Sequence, residues 1–191
     1  MIKRIIYTIS MLRTYRHAIS NVFQATPAYY QTAQINPQQL KQLGIKILVL
    51  DFDGVLAPHG DLQPLQELDG WLQQCVQVFG GNNIFILSNK PTSQRIAYFK
   101  QNHAEIRFII AVKKKPYPDG LEQIITLTGK SPTEIMLVDD RLLTGVLAAC
   151  IAEVKTTYIS YPYTSIKQRP VAELFFMSLR GLERSLFRII K

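Results

Sequence analysis

Apolar positions along this chain follow two rhythms that alternate. Short unbroken runs of strand length appear in the stretch Ile45–Leu56 and at Ile84–Leu87, Phe108–Val112 and Ile135–Val138, and Thr156–Ile159, opened by two threonines, is expected as a fifth strand. Such runs are expected of strands buried on both faces of a parallel sheet. Between them, apolar residues return every three to four positions, the spacing of a helix with one face on a core. This predicts helices over Pro64–Phe79, Pro91–Gln101, Pro118–Leu127 and Leu142–Ala149, with a short one from Pro37. Their ends carry the expected punctuation: Asn36 before Pro37, and Gly44, Gly80 and Gly129 as stops. Ser131 to Glu134 has the form of a capping box around a single turn. The alternation predicts an α/β fold, a parallel sheet of about five strands flanked by helices.

The two ends of the chain break this rhythm. Ile2, Ile5, Ile6, Ile9 and Leu12 recur near helical spacing among Lys3, Arg4, Arg13 and Arg16. Three expectations follow: a helix on an anionic membrane surface, a targeting peptide, or a helix docked on the core with a solvated basic face. Residues 21–35 are rich in amides and aromatics and are expected to be a connection laid over the domain. At the other end, Leu174, Phe175, Leu179, Leu182, Leu186, Ile189 and Ile190 share one helical spacing while Arg180, Arg184 and Arg188 form a stripe. That helix is expected either to cap the core with its charged face in water or to anchor at a membrane interface. The division expected is residues 1–35 as a basic amphipathic segment and connection, 36–165 as the core, and 166–191 as a basic helix.

Charge sharpens this division. Residues 1–50 hold six basic residues and no acidic one, residues 51–153 a net of −3, and residues 154–191 a net of +5. Basic ends on an acidic body point to an anionic surface as partner. No basic run interleaved with aromatics is present, so nucleic acid is not expected. No apolar run approaches the ~18–20 residues of a membrane span. Cys75 and Cys150 are far apart and form neither a metal-type spacing nor a disulfide framework, which suits a reducing compartment.

Chemistry concentrates where the strands end. Right-handed crossovers bring all carboxyl ends to one rim. That rim would collect Asp51 and Asp53, Ser88 and Asn89, Lys115, and Asp139 with Asp140. Taken singly these are ordinary turn, cap and surface residues. Together they read as parts for phosphoryl transfer. A carboxylate at Asp51 can attack phosphorus, and Asp53 can protonate the leaving oxygen and then activate water. Ser88 and Lys115 can hold phosphoryl oxygens, and Asp139 or Asp140 adds charge for a hard cation such as Mg2+.

The order Asp-Phe-Asp-Gly-Val-Leu from Asp51, Ser88-Asn89, Lys115-Pro116 and Val138-Asp139-Asp140 resembles the haloacid dehalogenase-like (HAD) phosphatase superfamily. The lead-in Ile35-Asn36-Pro37…Leu40-Lys41…Gly44-Ile45-Lys46 and the run Asp140–Ala149 are similar to its class IIIA phosphatidylglycerophosphate phosphatase subfamily. The resemblance implies a Rossmann-like core and Mg2+-dependent monoester hydrolysis. It implies Asp51 as nucleophile and metal ligand, and Asp53 as acid and base with its carbonyl on the metal. Ser88, Asn89 and Lys115 would bind phosphate, and Asp140 would complete the metal site. The chain departs from that pattern at Phe52 and Gly54-Val55. In the fourth motif Asp139 stands for a glycine, Arg141 for a glutamine and Gly145 for a second aspartate. These changes leave Asp139 and Asp140 both open as the ligand.

About 30 residues separate the first two strands, mostly one helix, so no large cap domain is expected over the site. An uncovered site suits a lipid head group or a phosphorylated macromolecule. The expectation is therefore a phosphatase of a lipid phosphate, cytoplasmic and peripheral at the inner membrane face. Its rivals are a phosphatase of soluble phosphoesters or phosphoproteins, and a HAD-like module without turnover.

Overall fold

The computed structural model describes residues 2–189. Five parallel strands form its sheet, in the spatial order β3-β2-β1-β4-β5. They are β1 (Ile47–Leu50), β2 (Ile84–Ile86), β3 (Arg107–Phe108), β4 (Ile135–Asp139) and β5 (Lys155–Tyr158). The helices are α1 (Ile2–Ala25), α2 (Pro37–Gln42), α3 (Asp69–Phe79), α4 (Ser93–Asn102), α5 (Asp119–Thr128), α6 (Leu147–Ile151) and α7 (Pro170–Ile189).

Strand β1 lies at the centre because every side chain in it is apolar and both its faces are covered. Leu48 and Leu50 face Trp71, Leu72 and Cys75 of α3 and Phe99 of α4. Ile47 and Val49 face Leu121 and Ile124 of α5 and Ala148 and Ala149 of α6. Each such aliphatic side chain, fully withdrawn from water, contributes about 1.5–3 kcal/mol. Register then fixes the rim: Leu50 pairs with Val138, and the Asp51 N–H donates to the Val138 carbonyl at 3.0 Å. Asp51 and Asp139 thereby leave neighbouring strands side by side.

Local signals act as expected at several ends. The Asn36 side chain accepts from the Gln39 N–H, and the capping box at Ser131 and Glu134 is complete. The connection expected over 21–35 starts only after Ala25, where α1 ends, and its remainder is laid over the domain: Thr32 Oγ1 donates to the Val55 carbonyl and Trp71 Nε1 to the Ile35 carbonyl. Other expectations need correction. The third strand is only Arg107–Phe108, and Ile110 and Val112 beyond it are exposed, because β3 is an edge strand. The helix expected over Leu142–Ala149 opens with a π-helical turn, Leu142–Val146, before α6.

Helix α1 docks through Met11, Leu12, Tyr15, Ile19, Val22 and Phe23 on a third core cluster that includes Leu147, Tyr158 and Phe187. Ile2, Ile5, Ile6 and Ile9 are exposed. Helix α7 reverses the expected polarity. Glu173, Arg180 and Glu183 are buried, Arg184 is half-buried, and Leu174, Phe175, Leu182 and Ile189 are exposed. A solvated arginine stripe is therefore incorrect for Arg180 and Arg184, though Arg188 is exposed. Ile190 lies outside the described residues. Among the described residues no helix is long and apolar enough to cross a membrane.

Candidate active site

Lys115 is the residue around which the rim assembles. Its Nζ lies 3.0 Å from Asp51 Oδ1 and donates to Asp139 Oδ2 at 2.5 Å, nearly sealed from solvent. Burial alone would lower the lysine pKa, but the two carboxylates outweigh it and hold the ammonium above its ordinary value. Asn89 fixes the lysine's backbone, its Oδ1 accepting from the Lys115 N–H at 2.7 Å. Of the three consecutive lysines, Lys115 alone is buried.

Asp51, Asp139 and Asp140 each offer a carboxylate oxygen within 4.8 Å of the others, a grouping able to hold a metal ion. Their remaining partners distinguish them. Both oxygens of Asp139 are engaged, one by Lys115 and one by the Arg141 N–H at 3.0 Å. Asp140 Oδ2 is ion-paired to the Arg180 guanidinium, while its Oδ1 is buried with no partner. A buried acceptor left bare is costly unless a cation or water meets it. The carboxylates also repel one another. Burial pushes Asp51 up to about 8, opposed by Lys115 and reinforced by Asp139 and Asp140. Burial likewise pushes Asp140 up to about 6, against the pull of Arg180. A divalent ion would replace those protons, so the donor set fits a hard cation.

Two glycines make room for this cluster. A Cβ at Gly54, whose φ is +84°, would collide with the Asp140 carboxylate. A Cβ at Gly145 would collide with the carboxylate of Asp139. The two unusual positions of the fourth motif are thus reciprocal: the Asp139 side chain fills the space that a side chain at 145 would need.

Asp53 is not in the three-carboxylate group. Its oxygens accept from Arg95 Nη2 at 2.6 Å and Nη1 at 3.0 Å, and from the Gly60 N–H at 3.0 Å. Burial alone would raise its pKa, yet this fork and the Gly60 bond hold it below the ordinary carboxylate value. Arg95 itself lies 3.9 Å from the Phe52 ring centroid and donates to the Asp61 carbonyl. Sequence reasoning missed Arg95. The available signal was its position four residues before the buried Phe99, on the inward stripe of α4. Ser88 is also set apart. Its Oγ accepts from the Lys90 N–H at 3.1 Å, closing a local turn, and it lines a small neighbouring cavity with Lys115.

A cleft of about 700 Å³ joins Asp51, Asp53, Asn89, Lys115 and Asp140. Helix α7 supplies part of its wall through Phe176, and Arg169 precedes the helix at the same wall. The α7 contribution is electrostatic as well as steric. Arg180 Nε donates to Asp140 at 2.6 Å. Glu183 accepts from Arg141 Nη2 at 2.5 Å and from the Leu142 N–H at 3.0 Å. Glu173 accepts from the His59 and Ser165 N–H groups. None of these five contacts from three residues of α7 was expected, because a helical stripe does not tell which side faces inward.

The chain is similar to known proteins in sequence and in fold. A family model described as mitochondrial PGP phosphatase matches residues 9–162. No curated protein matches the chain significantly in sequence. An uncharacterized protein from Corynebacterium glutamicum superposes with a TM-score of 0.47 at 19% identity, covering 72% of this chain and 96% of its own. A HAD-family enzyme from Bacteroides thetaiotaomicron, solved with magnesium and inorganic phosphate, gives 0.40 at 14% identity, with coverages of 60% and 93%. The matched span contains every strand of the sheet and each cluster at its rim, and on that basis the chain belongs to the mitochondrial PGP phosphatase family.

Proposed function

We propose that this protein removes the terminal phosphate of phosphatidylglycerophosphate, or of a closely similar lipid phosphate, in a Mg2+-dependent reaction at a membrane surface. The observation that carries this is the bridging of Asp51 and Asp139 by the buried Lys115 ammonium, with a bare Asp140 oxygen beside them. Asp51 and Asp140, with the Asp53 main-chain carbonyl, would hold Mg2+. When bound, the ion supplies charge neutralisation between an anionic nucleophile and an anionic phosphate. Asp139 is the weaker candidate as ligand, since both its oxygens already have donors.

The protein's own groups supply the rest. The Asp51 carboxylate forms a bond to phosphorus as the ester P–O bond breaks, giving an aspartyl-phosphate. The Asp53 carboxylate, held ionised by the Arg95 fork, swings free of it, takes up a proton from solvent and passes that proton to the departing oxygen. It then takes a proton from water as that water attacks phosphorus, releasing phosphate and restoring Asp51. Lys115 holds phosphoryl oxygens as a point charge, and Asn89 fixes its backbone.

In this reading residues 36–165 form the catalytic core, with α1 and α7 as flanks that meet the membrane. Exposed isoleucines of α1 and exposed leucines and Phe175 of α7 support insertion at the interface, and exposed Lys3, Arg13, Arg16 and Arg188 support attraction to anionic lipid. The test is phosphate release from a panel of lipid and soluble phosphomonoesters with and without Mg2+. Turnover of phosphatidylglycerophosphate should exceed that of sugar phosphates, and Asp51→Asn should abolish it, by about 10³-fold or more. Turnover of soluble esters alone would reject the lipid assignment, and an unchanged rate in Asp51→Asn would reject the mechanism.

A further inference from the structure

A second cavity of about 540 Å³ lies between α1 and α7. Its walls are mainly apolar, from Ile5, Leu143, Leu179, Leu182 and Leu186. Arg4, Arg141 and Thr144 line both this cavity and the catalytic cleft, so the two adjoin at those residues. The two arginines differ. Arg141 is neutralised by Glu183. Arg4 makes no ion pair among the described residues, and burial together with the nearby Arg141 charge destabilises its cationic form. The helix is held in place one turn on, where the Tyr7 ring stacks on Tyr117 with centroids 4.2 Å apart. Arg4 also precedes residues 9–162, the span matched by the family model.

A half-buried cation without a counter-ion, between an acidic reaction site and an apolar cavity, calls for a molecule with the matching order of parts. That order is a phosphomonoester, then a second anion, then hydrocarbon. We infer that Arg4 and the α1–α7 cavity form a second subsite, which takes the phosphodiester and the first methylenes of one acyl chain of the lipid whose phosphomonoester lies at Asp51. The inference rests on the proposed lipid phosphatase activity and deepens it. Charge complementarity at Arg4 selects a diester-bearing lipid over a simple phosphate ester. Each methylene drawn between the apolar walls adds a factor of about four in affinity.

Binding without turnover tests this separately from catalysis. The probes are dihexanoyl and dibutanoyl phosphatidylglycerol below their micelle concentrations, which keep the diester and chains but lack the monoester. They are titrated calorimetrically into the full-length protein, alongside glycerol 3-phosphate. The expected result is tighter binding of the longer chain, a loss of about tenfold in Arg4→Ala, and a smaller loss in Leu182→Ser. Circular dichroism confirms that both variants are folded. In hydrolysis assays, Arg4→Ala should narrow the preference for lipid over glycerol phosphate by a similar factor. Binding that ignores chain length, or that stays within twofold in Arg4→Ala, would overturn the subsite even if lipid hydrolysis is intact. Normal probe binding without any Mg2+-dependent hydrolysis would uphold the subsite and remove the catalytic proposal instead.

Discussion

The sheet and helix α7 solve the same problem in opposite ways. In β1 and β4 apolar residues fill both faces, and charge is confined to the last residue or the one after it. In α7 most of the charged residues, Glu173, Arg180 and Glu183, turn inward, while Leu174, Phe175, Leu182 and Ile189 face out and Phe187 alone of the apolar residues is fully buried. The cause lies at the rim. Four carboxylates and Lys115 leave the core with excess negative charge, and a helix laid across it is oriented by the countercharges it can supply. Arg180 meets Asp140, while Glu183 meets Arg141. For α7 electrostatic matching sets the rotation about its axis, whereas for β1 hydrophobic burial sets everything.

The sharpest way to break this contrast is to remove the inward charge. Arg180→Ala leaves Asp140 buried beside two other acids without its partner. Breaking a buried pair by deleting one side costs about 3–5 kcal/mol. Arg188→Ala, on the same stripe but exposed, should change stability by no more than about 0.5 kcal/mol. Chemical denaturation of both variants decides the point. Equal small effects would mean that α7 is held by apolar contacts alone.

A smaller effect is expected at Gly145. Gly145→Ala places a methyl where the Asp139 carboxylate now lies. Overpacking of this kind costs about 1–3 kcal/mol. It should also displace Asp139 from Lys115 and lower the phosphatase rate. A variant as stable and active as the parent would refute the reciprocal relation of positions 139 and 145.

These two sites also mark how far the sequence could be read. The unbroken apolar runs identified β1, β2 and β4, because burial on both faces leaves no other pattern; β5, Lys-Thr-Thr-Tyr at the sheet edge, is only partly buried. The Asp51, Lys115 and Asp140 clusters were legible because strand ends are forced to one rim. Strand β3 was overextended, since an apolar run at a sheet edge has no partner to continue it. The partners of Arg95 and Arg180 were illegible for a shared reason, although the spacing of Arg95 from Phe99 marks it as facing inward. Each arginine is a buried cation chosen by a carboxylate far away in the chain, Asp53 and Asp140, and spacing within one helix carries no record of that partner. For α1 the spacing of the isoleucines left a surface helix and a docked helix both open, and the structure exposes Ile2, Ile5, Ile6 and Ile9 while docking the second half of the helix through Ile19 and its neighbours.

Metal linkage probes the rim with a moderate effect. The Asp51 carboxyl is raised from 3.8 to about 8, and Asp140 to about 6. The folded protein therefore binds more protons than the unfolded chain across this window. Without a divalent ion its stability is fullest below about pH 4 as far as these groups are concerned, and falls as pH rises toward 8. An ion bound by the carboxylates competes with those protons, so its stabilisation must grow over the same interval. At concentrations well above its dissociation constant, Mg2+ should raise the melting temperature by about 4–8 °C at pH 8 and by much less at pH 5. Equal shifts at both values would remove Asp51 and Asp140 from the binding site.

The least perturbing change to the fold probes the outward face of α7. Leu174 and Phe175 are both more than half exposed. Replacing both by serine should leave denaturant stability within about 0.5 kcal/mol, since little is lost from the core. If the reversed polarity of α7 exists to present an apolar face to lipid, the same variant should sediment less with anionic vesicles. Raising the salt should then weaken what binding remains, because Lys3, Arg13, Arg16 and Arg188 would carry a larger share of it. Unchanged vesicle binding together with unchanged stability would separate the two halves of the argument: α7 would still be turned by its buried charges, but its outward face would have no membrane to meet.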